Sequence, residues 1–268
     1  MLPLVLVAKR VREWIEPFLY ETLVYSNKFH SYPPIIDGEK WRPSGRLPLF
    51  EKATGYAKKV LIEGVTASSA IDIVGNSPNI EVLGIWALPS MFQDCRPLLP
   101  LIQSLPTLTR LSTSPRDLFR VRGVPFVFRH EPFDKLTHLE ILCMEEGVCN
   151  WDTWAELALL PKLTHLAIDY SNITFVTDAL MHLPKLKLLV CFYEDRQEVL
   201  HRAALRGEEG IRHPRHPNTG IMMDNRVVQI PEVHDWIEDW ERGVHGQEDF
   251  WKRAEAIQAC RSAECRLQ

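Results

Sequence analysis

From residue 57 to residue 192 the apolar positions alternate between two rhythms. Short runs alternate apolar with polar residues, as a strand does when successive side chains point to opposite faces. Between these runs the apolar residues recur at intervals of three and four, the spacing of one helix face. The strand-like run belongs to a heptad that repeats. It occurs as Leu105-Pro106-Thr107-Leu108-Thr109-Arg110-Leu111, as Leu160-Pro161-Lys162-Leu163-Thr164-His165-Leu166, and as Leu183-Pro184-Lys185-Leu186-Lys187-Leu188-Leu189. Looser copies are Ser77-Pro78-Asn79-Ile80-Glu81-Val82-Leu83 and Phe133-Asp134-Lys135-Leu136-Thr137-His138-Leu139, and a degenerate one begins at Ala57, followed by Val60 and Ile62.

The anchors Ala57, Ile80, Leu108, Leu136, Leu163 and Leu186 are 23, 28, 28, 27 and 23 residues apart. With each anchor as position one, positions four and six are apolar in nearly every copy (Leu83 and Ile85, Leu139 and Ile141, Leu166 and Ile168), and alternation turns them inward. The copy at Leu108 is irregular and ends in Thr113. Positions three, five and seven then face outward. Helical stripes fill the intervals: Ala67, Ala70, Ile71 and Val74; Trp154, Leu157, Ala158 and Leu160, with Asp152 as a helix cap; and Phe175, Val176, Ala179, Leu180 and Leu183. The heptad proline stops each helix before the next strand. Spacings of this length, with L-x-x-L-x-(apolar) after each anchor, predict leucine-rich repeats. The fold expected is α/β: an irregular leucine-rich-repeat solenoid of six repeats, parallel strands on one face, helices on the other, and helical caps at both ends.

The flanks divide the remainder into a cap helix over residues 1–25, a linker over 26–56 and a C-terminal capping region over 193–268, leaving 57–192 for the repeats. Pro3 to Leu19 reads as an amphipathic helix, with Leu4, Val7, Ala8, Val11, Trp14, Ile15 and Phe18 on one face and Pro17 ending or kinking it. This helix either caps the solenoid or docks onto a partner. Asp195 and Glu198 form a capping signal for a helix containing Val199, Leu200, Ala203 and Ala204, residues 207–225 form a loop, and Arg226 to Ile230 forms a last strand stopped by Pro231. Trp236, Ile237 and Trp240, then Phe250, Trp251, Ala254 and Ile257, give two apolar stripes across a glycine-bearing break, the cap an open solenoid needs.

Charge and composition narrow the function. A formal net charge of −4 argues against general affinity for nucleic acid or anionic membrane. No apolar run approaches the roughly 18 residues that span a bilayer, and the basic residues Lys9, Arg10 and Arg12 follow the first apolar run rather than precede it as in a secretory signal. The expectation is an intracellular protein, cytoplasmic or nuclear. The six cysteines include no C-x-x-C pair, so reduced thiols are expected rather than disulfides or a zinc site.

The run Leu6-Val7-Ala8-Lys9-Arg10-Val11-Arg12-Glu13-Trp14-Ile15-Glu16-Pro17-Phe18-Leu19-Tyr20 resembles the closing part of an F-box and the linker helix after it. The expectation is a remnant of the box, its last third at most, because the usual opening has no room before Leu6. The segments Trp236-Ile237-Glu238-Asp239-Trp240-Glu241-Arg242-Gly243 and Gln247-Glu248-Asp249-Phe250-Trp251 are similar to the end of the same group, the fungal F-box-like, leucine-rich-repeat-like proteins. The resemblance implies a substrate receptor of a cullin-RING ubiquitin ligase, in which the F-box binds a Skp-type adaptor and the repeats hold the target. Leu4, Val7, Val11 and Trp14 would then contact the adaptor.

No nucleotide-binding glycine loop, metalloprotease helix or serine-nucleophile elbow occurs. His213 and His216 sit between prolines without a suitably spaced third ligand, so neither metal nor cofactor is expected. Glu194, Asp195 and Glu198 read as a helix start, and Glu145 and Glu146 as solvated. The outward strand positions are better binding candidates: Trp86, Arg110, His138, Glu140, His165 and Asp169, on the concave face, with His138 and His165 on neighbouring strands. The function expected is a non-catalytic protein-binding module, the recognition part of an F-box-type receptor. Its alternatives are a repeat scaffold unrelated to ubiquitin and, more distantly, a small metal-dependent enzyme using the histidine-rich loop.

Overall fold

The computed structural model of the chain describes residues 9–26, 53–86, 97–114, 131–142, 151–168, 173–193 and 224–264. Among them is one eight-stranded sheet whose strands lie side by side in chain order, every neighbouring pair parallel. The strands are β1 (Thr22–Ser26), β2 (Lys59–Glu63), β3 (Val82–Trp86), β4 (Arg110–Thr113), β5 (His138–Ile141), β6 (His165–Ile168), β7 (Leu188–Tyr193) and β8 (Val227–Pro231). The helices are α1 (Lys9–Leu19), α2 (Ala67–Gly75), α3 (Leu98–Gln103), α4 (Trp151–Trp154), α5 (Ile173–His182), α6 (Trp236–Val244) and α7 (Phe250–Glu264), with 3-10 turns at Glu131–Lys135 and Ala155–Leu159. This is a solenoid-like α/β arrangement.

Register carries the sequence pattern directly into space. Position four forms one row, Leu23, Val60, Leu83, Leu111, Leu139, Leu166, Leu189 and Val227, and all eight belong to the main core. Ile62, Ile85, Ile141, Ile168 and Cys191 at position six lie in the same core, against Ala70, Ile73 and Val74 of α2, Trp154 of α4, and Phe175, Val176 and Ala179 of α5. Just before each strand a second ladder forms. The Thr109 hydroxyl donates to the Glu81 carbonyl, that of Thr137 to Thr109, and that of Thr164 to Thr137, beside backbone N–H groups bound to the same carbonyls. Parallel stacking thus satisfies the polar groups at the edge of the core.

Several expectations change. Seven strands were expected, six in the repeats and a last one over Arg226 to Ile230, and eight form: the added strand, β1, lies at the boundary between the expected cap and linker, while the expected last strand, β8, pairs with β7. The stripe expected over Trp154–Leu160 is a short helix followed by a 3-10 turn, Ala158 is exposed, and Asp152 lies within the first helical turn rather than capping it. On α2, Ile73 is buried where Ile71 was expected to be. Helix α1 continues through Pro17 to Leu19. Its expected apolar face is not its buried one: Glu16 and Tyr20 are buried, whereas Trp14 is 62% and Phe18 78% exposed. Leu4 and Val7, the Asp195 helix and the histidine-rich loop lie outside the described residues, as do Glu145, Glu146, Glu194 and Cys95, Cys143, Cys149 and Cys265. No helix among the described residues is long and apolar enough to cross a membrane.

Candidate functional site

The odd-numbered positions share the opposite face of the sheet. A strand face left to solvent would be half-exposed, yet position five is buried wherever β2 and β4–β7 carry a side chain there: Leu61, Ser112, Glu140, Ala167 and Val190. The cause is α6 and α7, which lie across this face. The C-terminal region was expected to close the end of the solenoid. It does meet the last strand, where Arg261 Nη1 donates to the Val227 carbonyl at 2.9 Å, but it also covers the odd face. Its aromatic and β-sheet apolar side chains leave water together, which supplies the reason.

Two apolar clusters hold the cover. Over β6–β8, Phe192 packs edge-on to Trp236 and Phe250, with ring centroids 4.8 and 5.1 Å apart, beside Ala167, Val190 and Val228. Over β1–β3, Val24, Leu61 and Trp86 meet Trp236, Ile237 and Trp240, as does Leu142 of β5's exit. One buried carboxylate, Asp239, ties the helices to one another, and a second, Asp249, caps α7 against Gly243. Asp239 accepts from the Phe250 N–H at 2.9 Å and pairs with Arg253 at 2.7 Å. Asp249 accepts from the Lys252 N–H at 2.9 Å, capping α7, and burial pushes its carboxyl above the ordinary range, opposed by the Lys252 N–H and by Arg110. Gly243 admits this contact, since a Cβ there would stand 2.3 Å from an Asp249 oxygen.

Four of the six candidate concave-face residues line one cleft between β3–β5 and the cover. Trp86, Arg110, His138 and Glu140 meet there with Trp240 and Asp249 around a cavity of about 40 Å³. That volume holds water and no organic ligand. Trp86 Nε1 donates to Ser112 Oγ at 2.7 Å, and both are buried. Asp169 lies outside the described residues.

His138 and His165 are neighbours in register, as expected, and stack face to face with centroids 4.1 Å apart and planes 7° from parallel. Each Nδ1 meets the hydroxyl of the preceding threonine, Thr137 at 2.9 Å and Thr164 at 2.8 Å. Each hydroxyl carries one hydrogen and gives it to a carbonyl in the ladder, so the ring Nδ1–H is the donor. Trp251 of α7 stands edge-on to both rings, at 5.2 and 5.8 Å. Glu255 Oε1 lies 3.4 Å from His165 Nε2. Burial lowers the pKa of His138 to about 3, helped by His165 and Arg110. Burial also lowers that of His165, while Glu255 works the other way. His138 is neutral near pH 7. Parallel rings aim their nitrogens side by side rather than at one point, so the pair cannot chelate an ion. Among the described residues no group of three or more metal-ligating side chains converges.

No family model matches the chain. No curated protein matches it either. The site's chemistry therefore rests on its own geometry: a layer of aromatic and hydrogen-bonded groups, with Arg110, Glu140 and Asp249 at its cleft, in contact with the chain's own helices. Sequence reasoning missed Asp239 as a tie, Asp249 as a cap and Trp251 as the residue that seats on the histidines. The small or apolar majority at position five (Leu61, Gly84, Ala167 and Val190, against Ser112 and Glu140) was the available signal, because a solvated strand face would carry polar residues at most of these places.

Proposed function

We propose that the chain is a non-catalytic protein-interaction module built on irregular leucine-rich repeats, acting as the target-holding part of an F-box-type ubiquitin-ligase receptor. The common register of positions four and six and the ladder before each strand support the repeat reading. The observation that carries the docking role is on α1. Trp14 and Phe18, four residues apart and so on one helical stripe, are 62% and 78% exposed, while Glu16 and Tyr20 on the other side are buried. Large aromatics on an amphipathic helix are the usual anchors of helix-in-groove recognition. On this reading α1 meets a Skp-type adaptor through Val11, Trp14 and Phe18, and the repeats hold the target.

Co-purification of the full chain with a Skp-type adaptor tests the reading. Capture that is lost in Trp14→Ser and Phe18→Ser, with an unchanged thermal midpoint, is the expected result. Absence of capture at micromolar concentrations overturns the ligase role. The burial of Glu16 and Tyr20 also favours a second reading, a repeat scaffold unrelated to ubiquitin in which α1 only caps the sheet. In that case Trp14→Ser lowers stability and alters no partner.

A further inference from the structure

We propose that α6 and α7 are a cover that acid releases from the odd face, latched where Trp251 seats on the stacked His138–His165 pair. The inference goes beyond the adaptor reading and does not rest on it.

The geometry makes the latch. Trp251 is buried and touches both rings edge-on, a contact that requires the rings to stay parallel and close. A proton on one ring brings a charge into a covered site, and a second proton places two like charges 4.1 Å apart. The charged groups around the pair mostly oppose protonation. Arg110 from β4 acts on both rings, and Lys187, next to β7, acts on His165. Glu255 from α7 is the carboxylate that favours a proton on His165. Glu140 from β5 and Asp249 at the start of α7 line the adjoining cleft, where Asp249 faces Arg110.

When α7 lifts, the rings return to water and to an ordinary pKa near 6.5. The covered state therefore binds protons less readily than the open one. Closure is at full strength above pH 6.5 and weakens as pH falls toward the covered value of about 3 for His138. From His138 alone, the ratio of open to closed forms rises about 30-fold between pH 7.5 and pH 5. The cover can open without the sheet, because the core on the even face is a separate cluster built from α2, α3, α4 and α5.

Hydrogen exchange of the full chain at pH 7.5 and pH 5, corrected for intrinsic rates, reads this directly. The opening of α7 is expected to rise with acid, by about 30-fold from His138, with His165 adding to the rise and Asp249 opposing it, while amides of β2–β6 keep their protection. His138→Phe keeps an aromatic ring in the stack without its titrating proton, and its α7 opening is expected to rise with acid less than the wild type's, since only His165 is left to drive it and Asp249 opposes it. Unchanged α7 protection in the wild type, an equal rise in His138→Phe, or joint loss of protection in α7 and the strands overturns the proposal. Glu255→Gln alters an exposed side chain and leaves the core intact. It removes the carboxylate that favours the covered proton, so its pH dependence is expected to be steeper than wild type, and a shallower one also overturns the proposal.

Discussion

Trp240 lies over Gly84. A Cβ at position 84 would stand 3.4 Å from the Trp240 indole nitrogen and 2.6 Å from the Leu61 Cδ1 methyl. The position-five row is thus trimmed to a hydrogen at the point where α6 crosses it. Gly84→Ala meets chiefly a terminal methyl that can rotate, and is expected to change stability by less than about 1 kcal/mol. Gly84→Val adds branches that reach the ring and is expected to cost about 1–3 kcal/mol. Urea unfolding midpoints check the order. A valine tolerated without loss would mean that Trp240 is not seated on the strand.

Asp239 ties α6 to α7 from a buried position, accepting from the Phe250 N–H with one oxygen and pairing with Arg253 through the other. Arg253 is partly exposed, which screens the ion pair. Asp239→Asn keeps an acceptor for the Phe250 N–H and loses the charge. Asp239→Ala loses both and leaves a buried N–H unsatisfied. Costs of about 1 and about 2–3 kcal/mol are expected, read from denaturant unfolding. Equal losses in the two variants would place the effect in the ion pair alone.

The strand rows were legible because alternation has a period of two and the repeat supplies it again and again. Leu83, Leu139, Leu166 and Leu189 needed no other information to be placed inward. Strand β1 was not legible: Thr22-Leu23-Val24-Tyr25-Ser26 has no heptad before it, and its side chains are buried on both faces, which removes the alternation. The side of the sheet that α6 and α7 cover was hidden for a different reason. Trp236, Trp240, Phe250 and Trp251 announce an apolar helix face, but helical spacing says nothing about whether that face meets the end of a sheet or its surface. On α1 the error lay in hydrophobicity itself. Trp14 and Phe18 were read with the apolar side, whereas the helix packs through the side that bears Glu16 and Tyr20.

Asp249 gives the cover a second pH response, opposite in sign to that of the histidines. Its carboxyl is buried, and burial raises its pKa above the ordinary 3.8. A raised carboxyl contributes stability that is complete below pH 3.8 and is lost as pH rises through the raised value. His138, with its pKa lowered, contributes stability above pH 6.5 that is lost as pH falls toward about 3. Asp249→Asn retains an oxygen to accept from the Lys252 N–H and cannot ionise. Relative to wild type, it is expected to gain stability as pH rises from 3.8 through the raised Asp249 value and to hold that gain above it, while the loss on acidification caused by the histidine pair persists. Unfolding free energies of both proteins across that range separate the two slopes. A constant difference between them would show that the Asp249 charge is as well supported beneath the cover as in water, through Arg110 and the Lys252 N–H.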